Sequence, residues 1–274
     1  MMEKQIQFLS SAQNTYLKML KSLQTKKGRR DNGLFLVEGS RLVQEICAPW
    51  QMDALVLTEM YYEQNEDWRV LTEKYPQAKV VVVPEEIFKS MADTQHPQGI
   101  LAAVRMKEFT FEDLVKKEDP FLILLEDLQD PGNGGTILRT ADAAGADGIL
   151  CSKGTVDFYS PKTVRASMGS IFHLPVVQVE DFTQGILRLQ EKGIRVLAAH
   201  LQGSKPHFEA DFTGGCGIMI GNEGNGLTDT AADAANERVR IPQPGRAESL
   251  NASVAAGILI YEALRQRTGG NEKC

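Results

Sequence analysis

The stretch Asp130-Pro131-Gly132-Asn133-Gly134-Gly135-Thr136-Ile137-Leu138-Arg139 follows the apolar run Phe121 to Leu125 and leads into a helical pattern over Gly134 to Ala144. An apolar run without alternation is expected of a strand buried on both faces of a parallel sheet. Open α/β sheets place their ligands in loops at the C-terminal ends of such strands. Two later stretches share the setting. Ile220-Gly221-Asn222-Glu223-Gly224-Asn225-Gly226-Leu227 ends the strand Gly217 to Ile220. Ile241-Pro242-Gln243-Pro244-Gly245-Arg246-Ala247-Glu248-Ser249-Leu250-Asn251-Ala252-Ser253 joins the short strand Val239 to Ile241 to a long helix, Ser249 to Gln266. Three such loops in one chain predict one composite site.

Between these stretches, strands at Gly148 to Cys151, Leu174 to Val179 and Ile194 to Ala199 alternate with helices at Ser160 to Met168, Gly185 to Lys192 and Thr228 to Asn236. That alternation predicts a mostly parallel sheet over residues 121–274. Upstream, residues 1–106 read as a smaller α/β domain. Its predicted helices are Ala12 to Leu23, Ser40 to Cys47, Glu59 to Lys74 as a single polar helix, and Glu85 to Met91. Its strands are Leu34 to Val37, Met52 to Thr58, Lys79 to Val83 and Ile100 to Val104, and Lys26 to Gly33 reads as a turn. The charged residues 107–120 read as a linker or a short exposed helix.

At 274 residues the chain is long enough for two domains. Its 42% apolar and 24% charged residues place it among globular proteins rather than disordered ones. No apolar run approaches the length of a membrane span, and Met1 to Gln5 opens no signal peptide, so a cytoplasmic location is expected. Cys47, Cys151, Cys216 and Cys274 form no C-x-x-C pair, and His96, His173, His200 and His207 are scattered. No metal site and no disulfide framework are expected. The net charge of -6 does not announce a nucleic-acid binder. Yet Lys18, Lys21, Lys26, Lys27, Arg29 and Arg30 fall between Tyr16 and Arg30 with no acid among them. The charge pattern leaves open whether they hold phosphates or form a solvated face.

The loops exclude several chemistries. Gly132-x-Gly134 begins a dinucleotide fingerprint, but Ile137 stands where its third glycine or alanine belongs. There is no P-loop and no nucleophile elbow. What the loops carry is two amides, a carboxylate, a hydroxyl and a guanidinium: Asn133, Asn251, Glu223, Ser249 and Arg139. Arg139, within the helix, is placed to reach back over the mouth and hold a phosphate or steady a developing alkoxide. The bland alternatives are an ion pair of Arg139 with Asp142 or Glu223, a helix-capping Glu223, and Ser249 or Asn251 as N-caps. The stiff Pro242-Gln243-Pro244-Gly245 segment offers main-chain hydrogen bonds in fixed directions, suited to a flat heterocycle, with Ile241 and Leu250 as apolar cover.

At these residues the chain resembles the SpoU, or TrmH-type, family of RNA ribose 2'-O-methyltransferases, of the SPOUT class. The resemblance rests on Asp-Pro-Gly-Asn-x-Gly-x-x-x-Arg at Asp130 to Arg139, Gly-Asn-Glu-Gly-x-Gly-Leu at Gly221 to Leu227, and the run from Ile241 to Ala255. Phe35-Leu36-Val37-Glu38-Gly39 with its following helix looks like the ribosomal-protein-like RNA-binding domain that often precedes the catalytic one. The resemblance implies a C-terminal trefoil knot, a homodimer, and S-adenosylmethionine bound by Ala198, His200, Gly221, Ile241, Gln243 and Leu250. Gln243 departs from the pattern, which more often has Met there. Carried over by position, Arg139 activates the ribose hydroxyl, and Asn133, Glu223, Ser249 and Asn251 shape the site. RNA phosphates are expected on Lys18, Lys26, Lys27, Arg29, Arg30 and Arg41. Large-subunit (23S) rRNA is the expected substrate. The alternatives are tRNA, a resistance methyltransferase of the same family, or a non-catalytic RNA-binding or ribosome-assembly factor on the same scaffold.

Overall fold

The computed structural model describes residues 6–202 and 205–269. Met1 to Gln5 and Cys274, which entered the reading above, lie outside the described residues. The chain divides into two compact units.

The first unit comprises the described residues up to Lys107 together with Tyr159–Phe172. In chain order it begins with β1 (Ile6–Phe8), α1 (Thr15–Ser22), α2 (Lys26–Asn32), β2 (Leu34–Glu38), α3 (Ser40–Glu45) and β3 (Met52–Thr58). It continues with α4 (Glu59–Gln64), α5 (Asp67–Lys74), β4 (Lys79–Val83), α6 (Glu85–Lys89) and β5 (Ile100–Arg105). The strands form one mixed sheet in the order β1-β4-β3-β5-β2, with β5 antiparallel to both its neighbours. Leu17, Leu20 and Leu23 close one face of it against Val56, Val81 and Phe88.

Two expectations fail here for local reasons. Lys26–Asn32 is a helix, not a turn. Thr25 caps it by accepting the Gly28 N–H at 3.0 Å, and Gly33, at φ 63°, ends it. Gly28 is required because a Cβ there would stand 2.0 Å from the Ser22 carbonyl oxygen. The predicted helix Glu59 to Lys74 is two helices, because Asn65 leaves helical geometry at φ -123°, ψ 148°. The edge strand β1, three residues long, was not anticipated.

The second unit opens with α7 (Phe111–Leu114). The Thr110/Asp113 capping box holds this single turn, and Phe111 and Leu114 are buried in the unit's core. The charged stretch 107–120 is therefore not an exposed linker helix throughout. Next come β6 (Phe121–Leu125), α8 (Pro131–Ala143) and β7 (Gly148–Ser152). α9 (Pro161–Ser167) then returns to the first unit, where Trp50 Nε1 donates to the Phe172 carbonyl at 2.9 Å and the Phe35 and Tyr159 rings pack 4.8 Å apart. The chain resumes in the second unit with β8 (Val176–Val179), α10 (Phe182–Glu191), β9 (Arg195–Ala199), β10 (Lys205–Pro206) and β11 (Cys216–Ile220). It ends with α11 (Asp229–Ala234), β12 (Glu237–Arg240) and α12 (Ala252–Arg267).

These strands form a seven-stranded sheet, β10-β12-β9-β11-β6-β7-β8, parallel throughout. β6 and β11 are buried at every position, as the unalternating apolar run required. The α/β class with a parallel C-terminal sheet is as expected. The sheet directs the C-terminal ends of β6, β9, β11 and β12 to one edge, and the three loops leave from there. Cys151 and Cys216 are buried, and burial pushes their thiols up to about 12 and about 11.

Candidate active site

A cleft of about 300 Å³ opens at that edge of the second unit. Ala199 and Ile220, the last residues of β9 and β11, form its floor, and Ile241 and Leu250 of the third loop give apolar cover. The loop 221–227 forms a wall as a tight hairpin, with the Asn222 and Gly226 backbones paired in both directions at 3.0 and 2.9 Å. Gly221 makes the hairpin possible: a Cβ on it would stand 2.2 Å from the Gly226 carbonyl carbon.

One side-chain chain joins the three loops. Glu223 Oε1 accepts from the Asp130 N–H at 2.9 Å and from Asn133 Nδ2 at 3.0 Å, while Oε2 accepts from the Gln129 N–H at 3.0 Å. Asn133 Oδ1 in turn accepts from Asn251 Nδ2 at 3.0 Å. Asn251 Oδ1 caps α12, accepting the Ser253 N–H at 2.9 Å and the Ser253 hydroxyl at 2.7 Å. Every amide has one end committed as donor and the other as acceptor, so the orientation of each is fixed by its neighbours. Asn133 is the buried centre of the chain, 8% exposed. Burial works to raise the Glu223 carboxyl, but the hydrogen bonds from Asn133, Gln129 and Asp130 outweigh it and hold it below the ordinary carboxylate range.

The structure sorts the candidate residues. Glu223 and Ser249 line the cleft, as do His200, Gly221, Ile241, Gln243 and Leu250. Asn133 and Asn251 stand behind the lining and hold it. Asn251 is the N-cap of α12, and Ser249 is not. Glu223 caps no following helix but clamps the start of α8, which begins at Pro131, three residues before the helical pattern in the sequence. Arg139 is exposed on α8 and lies outside the cleft lining. Neither expected ion-pair partner is taken up with it, since Asp142 pairs with His173 at 2.8 Å and Glu223 holds the α8 N-terminus. Ala198 does not line the cleft: it is fully buried within β9, and the next residue, Ala199, reaches the surface instead. Asn222, inside a quoted motif but not singled out, lines the cleft and fixes the hairpin by accepting from the Gly224 and Asn225 N–H groups.

In the first unit, Lys26, Lys27, Arg30 and Arg41 are exposed, and so is Lys18, which donates to Gln13 at 2.6 Å. Arg29 must be removed from the phosphate-facing set. It is 3% exposed, and its Nη1 donates to the Leu23 and Gln24 carbonyls at 2.8 and 2.9 Å, satisfying the C-terminal end of α1. Among the described residues no cluster of His, Cys, Asp and Glu is arranged to hold a metal, and no helix is long and apolar enough to cross a membrane.

Comparison with known proteins agrees with this geometry. Residues 120–261 match the SpoU rRNA Methylase family, and residues 14–102 match an MRM3-like substrate binding domain. The chain is 33% identical, over 92% of its length and 97% of the relative's, to the 23S rRNA (guanosine(2553)-2'-O)-methyltransferase RlmP of Bacillus subtilis. It is 32% identical over 90% of its length to the 23S rRNA (uridine(2479)-2'-O)-methyltransferase of Streptomyces viridochromogenes. The AdoMet-bound rRNA methyltransferase of Sinorhizobium meliloti superposes with a TM-score of 0.84 at 34% identity, covering 95% of this chain and 98% of that one. The chain belongs to the SpoU methylase family and is an S-adenosylmethionine-dependent RNA 2'-O-methyltransferase.

The residues present fit that cofactor. The cleft volume is at the lower end for small-molecule sites. Glu223, kept ionised in its wall, suits a cationic ligand. Gln243 Oε1 is buried there without a protein hydrogen-bond partner, an acceptor left over for a ligand donor.

Proposed function

We propose that the protein methylates a ribose 2'-hydroxyl of 23S (large-subunit) rRNA. The observation that carries this reading is the chain Glu223–Asn133–Asn251, which locks three loops around one cleft. S-adenosylmethionine supplies the methyl group as a sulfonium when bound. Gly221, Ile241, Gln243 and Leu250 hold it, with His200 at the margin. Gln129 to Asn133 and Glu223 fix the start of α8, and α8 presents Arg139 about 9 Å further along its axis. Arg139 orients the hydroxyl and stabilises the developing oxyanion by its charge, while the hydroxyl proton passes to solvent as the methyl group is transferred. Orientation in line with the sulfonium supplies much of the rate.

RNA phosphates meet the exposed Lys18, Lys26, Lys27, Arg30 and Arg41. A second copy of the chain covers α12, whose apolar residues are not confined to one face. Val254 and Tyr261 are 52% and 51% exposed, while Leu259 and Ile260 are buried. A trefoil knot is expected in the C-terminal part, where α12 packs back over α8 and β11, and the cytoplasm is the expected location.

Transfer of label from S-adenosylmethionine to unmodified bulk RNA, with nucleoside mass spectrometry of separated large rRNA and tRNA, tests the proposal. A 2'-O-methylnucleoside in large rRNA is expected. Label confined to tRNA overturns the substrate, and cofactor binding without label in any RNA or ribosomal particle overturns the activity.

A further inference from the structure

Asp127, at the start of the β6–α8 loop, has φ 51°, one of two non-glycine residues with positive φ among the described residues. Glycine adopts this conformation freely; aspartate does so less readily, and chiefly where its side chain is hydrogen-bonded locally. Yet the neighbourhood is constructed to keep aspartate there. Ser152, buried at the end of β7, accepts the Asp127 N–H at 2.8 Å and donates its hydroxyl to Asp127 Oδ1 at 2.6 Å. Asn222 Nδ2 donates to the Asp127 carbonyl at 2.8 Å. Gly154 leaves room for the carboxylate in this position, since a Cβ there would stand 2.2 Å from Oδ1 and displace it.

The second oxygen, Oδ2, receives no hydrogen bond from any described residue, and Asp127 is exposed. Asp127 borders the cleft without lining it: the cleft-lining Asn222 holds its carbonyl, the adjacent Glu223 clamps the same β6–α8 loop two residues beyond, and the carboxylate turns toward Ser152 at the end of β7. A bare carboxylate at the mouth of an RNA enzyme repels phosphates. Strain held in place by several neighbours is characteristic of working positions. Carboxylates read nucleic acids by accepting N–H bonds from base amino groups, and RNA bases present those edges when unstacked.

We propose that Asp127 determines specificity in this reaction, its Oδ2 accepting a hydrogen bond from the amino group of a substrate base at or beside the methylated nucleotide. The inference rests on the RNA-methyltransferase reading above.

The test uses the full-length protein and its Asp127→Gly and Ser152→Ala variants. Glycine suits the backbone and removes the carboxylate, leaving the Ser152 hydroxyl to donate to Thr155 Oγ1, 3.1 Å away; Ser152→Ala loosens the tether but keeps the carboxylate. Once the methylated nucleotide is mapped, RNA fragments carrying each base at that position and its two neighbours are assayed. The wild type should favour an amino-bearing base at one position by about tenfold or more in kcat/KM. Asp127→Gly should lose that preference through KM, with Tm and the Kd for S-adenosylmethionine unchanged, and Ser152→Ala should keep part of it. A preference that survives in Asp127→Gly overturns the proposal. So does a loss equal for all bases, which places the contact on ribose or backbone, or a fall in Tm or cofactor affinity, which makes Asp127 a loop support. A wild type that binds cofactor but methylates no RNA is a different failure, that of the parent reading.

Discussion

The two units use polar side chains in opposite ways. At the mouth of the second unit, Glu223, Asn133 and Asn251 form one connected chain in which each group fixes the next. In the first unit the basic candidates are mostly separate exposed side chains, and the one with buried partners, Arg29, is committed to carbonyls of its own helix pair. A connected site should fail as a unit when one member is lost, and a dispersed charged surface should weaken in steps. A motif with several spaced polar residues therefore predicts a site better than a run of like charges predicts a surface.

The comparison breaks first at Arg139. Arg139→Ala should lower the methyl-transfer rate by about 10²- to 10³-fold with cofactor affinity intact, the loss expected for one electrostatic contact to a developing charge. Single-turnover kinetics beside calorimetric titration of S-adenosylmethionine will measure it, and retained turnover removes Arg139 from the chemistry.

Gly221→Ala attacks the wall rather than the chemistry. A Cβ forced onto the Gly226 backbone must open the hairpin, and overpacking of this kind costs about 1–3 kcal/mol. The expected readout is about a tenfold or greater loss of cofactor affinity with little change in the first unit. A hairpin that tolerates alanine would show that the wall is not rigid.

Arg29→Ala and Arg30→Ala form a matched pair in the other unit. Removing Arg29 leaves the Leu23 and Gln24 carbonyls without their donor and should destabilise the unit by about 2–3 kcal/mol. Arg30→Ala should leave stability unchanged and shift only RNA binding. Denaturant unfolding followed with the salt dependence of binding separates them. Neutralising Lys26, Lys27 and Arg30 singly should each flatten the slope of log K against log salt by about 0.7–0.9 per lost phosphate contact. An unchanged slope would move the RNA surface elsewhere.

The smallest effect concerns pH. The Glu223 carboxyl is depressed in the folded protein, so the stability it contributes is complete above its ordinary value of 4.5 and is lost as pH falls through the lower folded value. Cofactor affinity should therefore hold from neutrality to below pH 4.5 and decline only as pH falls through the lower folded value, and Glu223→Gln should flatten the decline. An identical acid-side fall in both proteins assigns it to another group.

The sequence was most informative where one physical demand dominated. Phe121 to Leu125 and Lys79 to Val83 are strands because apolar β-favouring runs fit nothing else, and the three loops follow from where parallel strands end. It misled where tertiary contacts override composition. Lys26–Asn32 is helical because Thr25 caps it and Gly28 fits under the Ser22 carbonyl, contacts made by residues upstream of the charged stretch itself. Phe111 and Leu114 look like apolar specks in a charged linker until the capping box turns both into the core. The membership of Tyr159–Phe172 in the first unit depends on Trp50 and Phe35, more than a hundred residues away. Within the site, Asn222 was legible as part of a motif but not as a wall, because its partner Asp127 lies on another loop.

The order in which the cleft's parts leave the ribosome bears on how the protein matures. β6 pairs with β11, Phe121 opposite Cys216, and the cleft also needs the third loop and α12 behind it. All but the α9 segment of the first unit emerges before β6 is made. The cleft has no complete wall until the last helix is free, since Ala252 and Ala255 of α12 line it. The first unit, which carries the proposed RNA-facing surface, therefore largely precedes the cleft during synthesis, and a chain interrupted before α12 would keep that surface without a complete cleft.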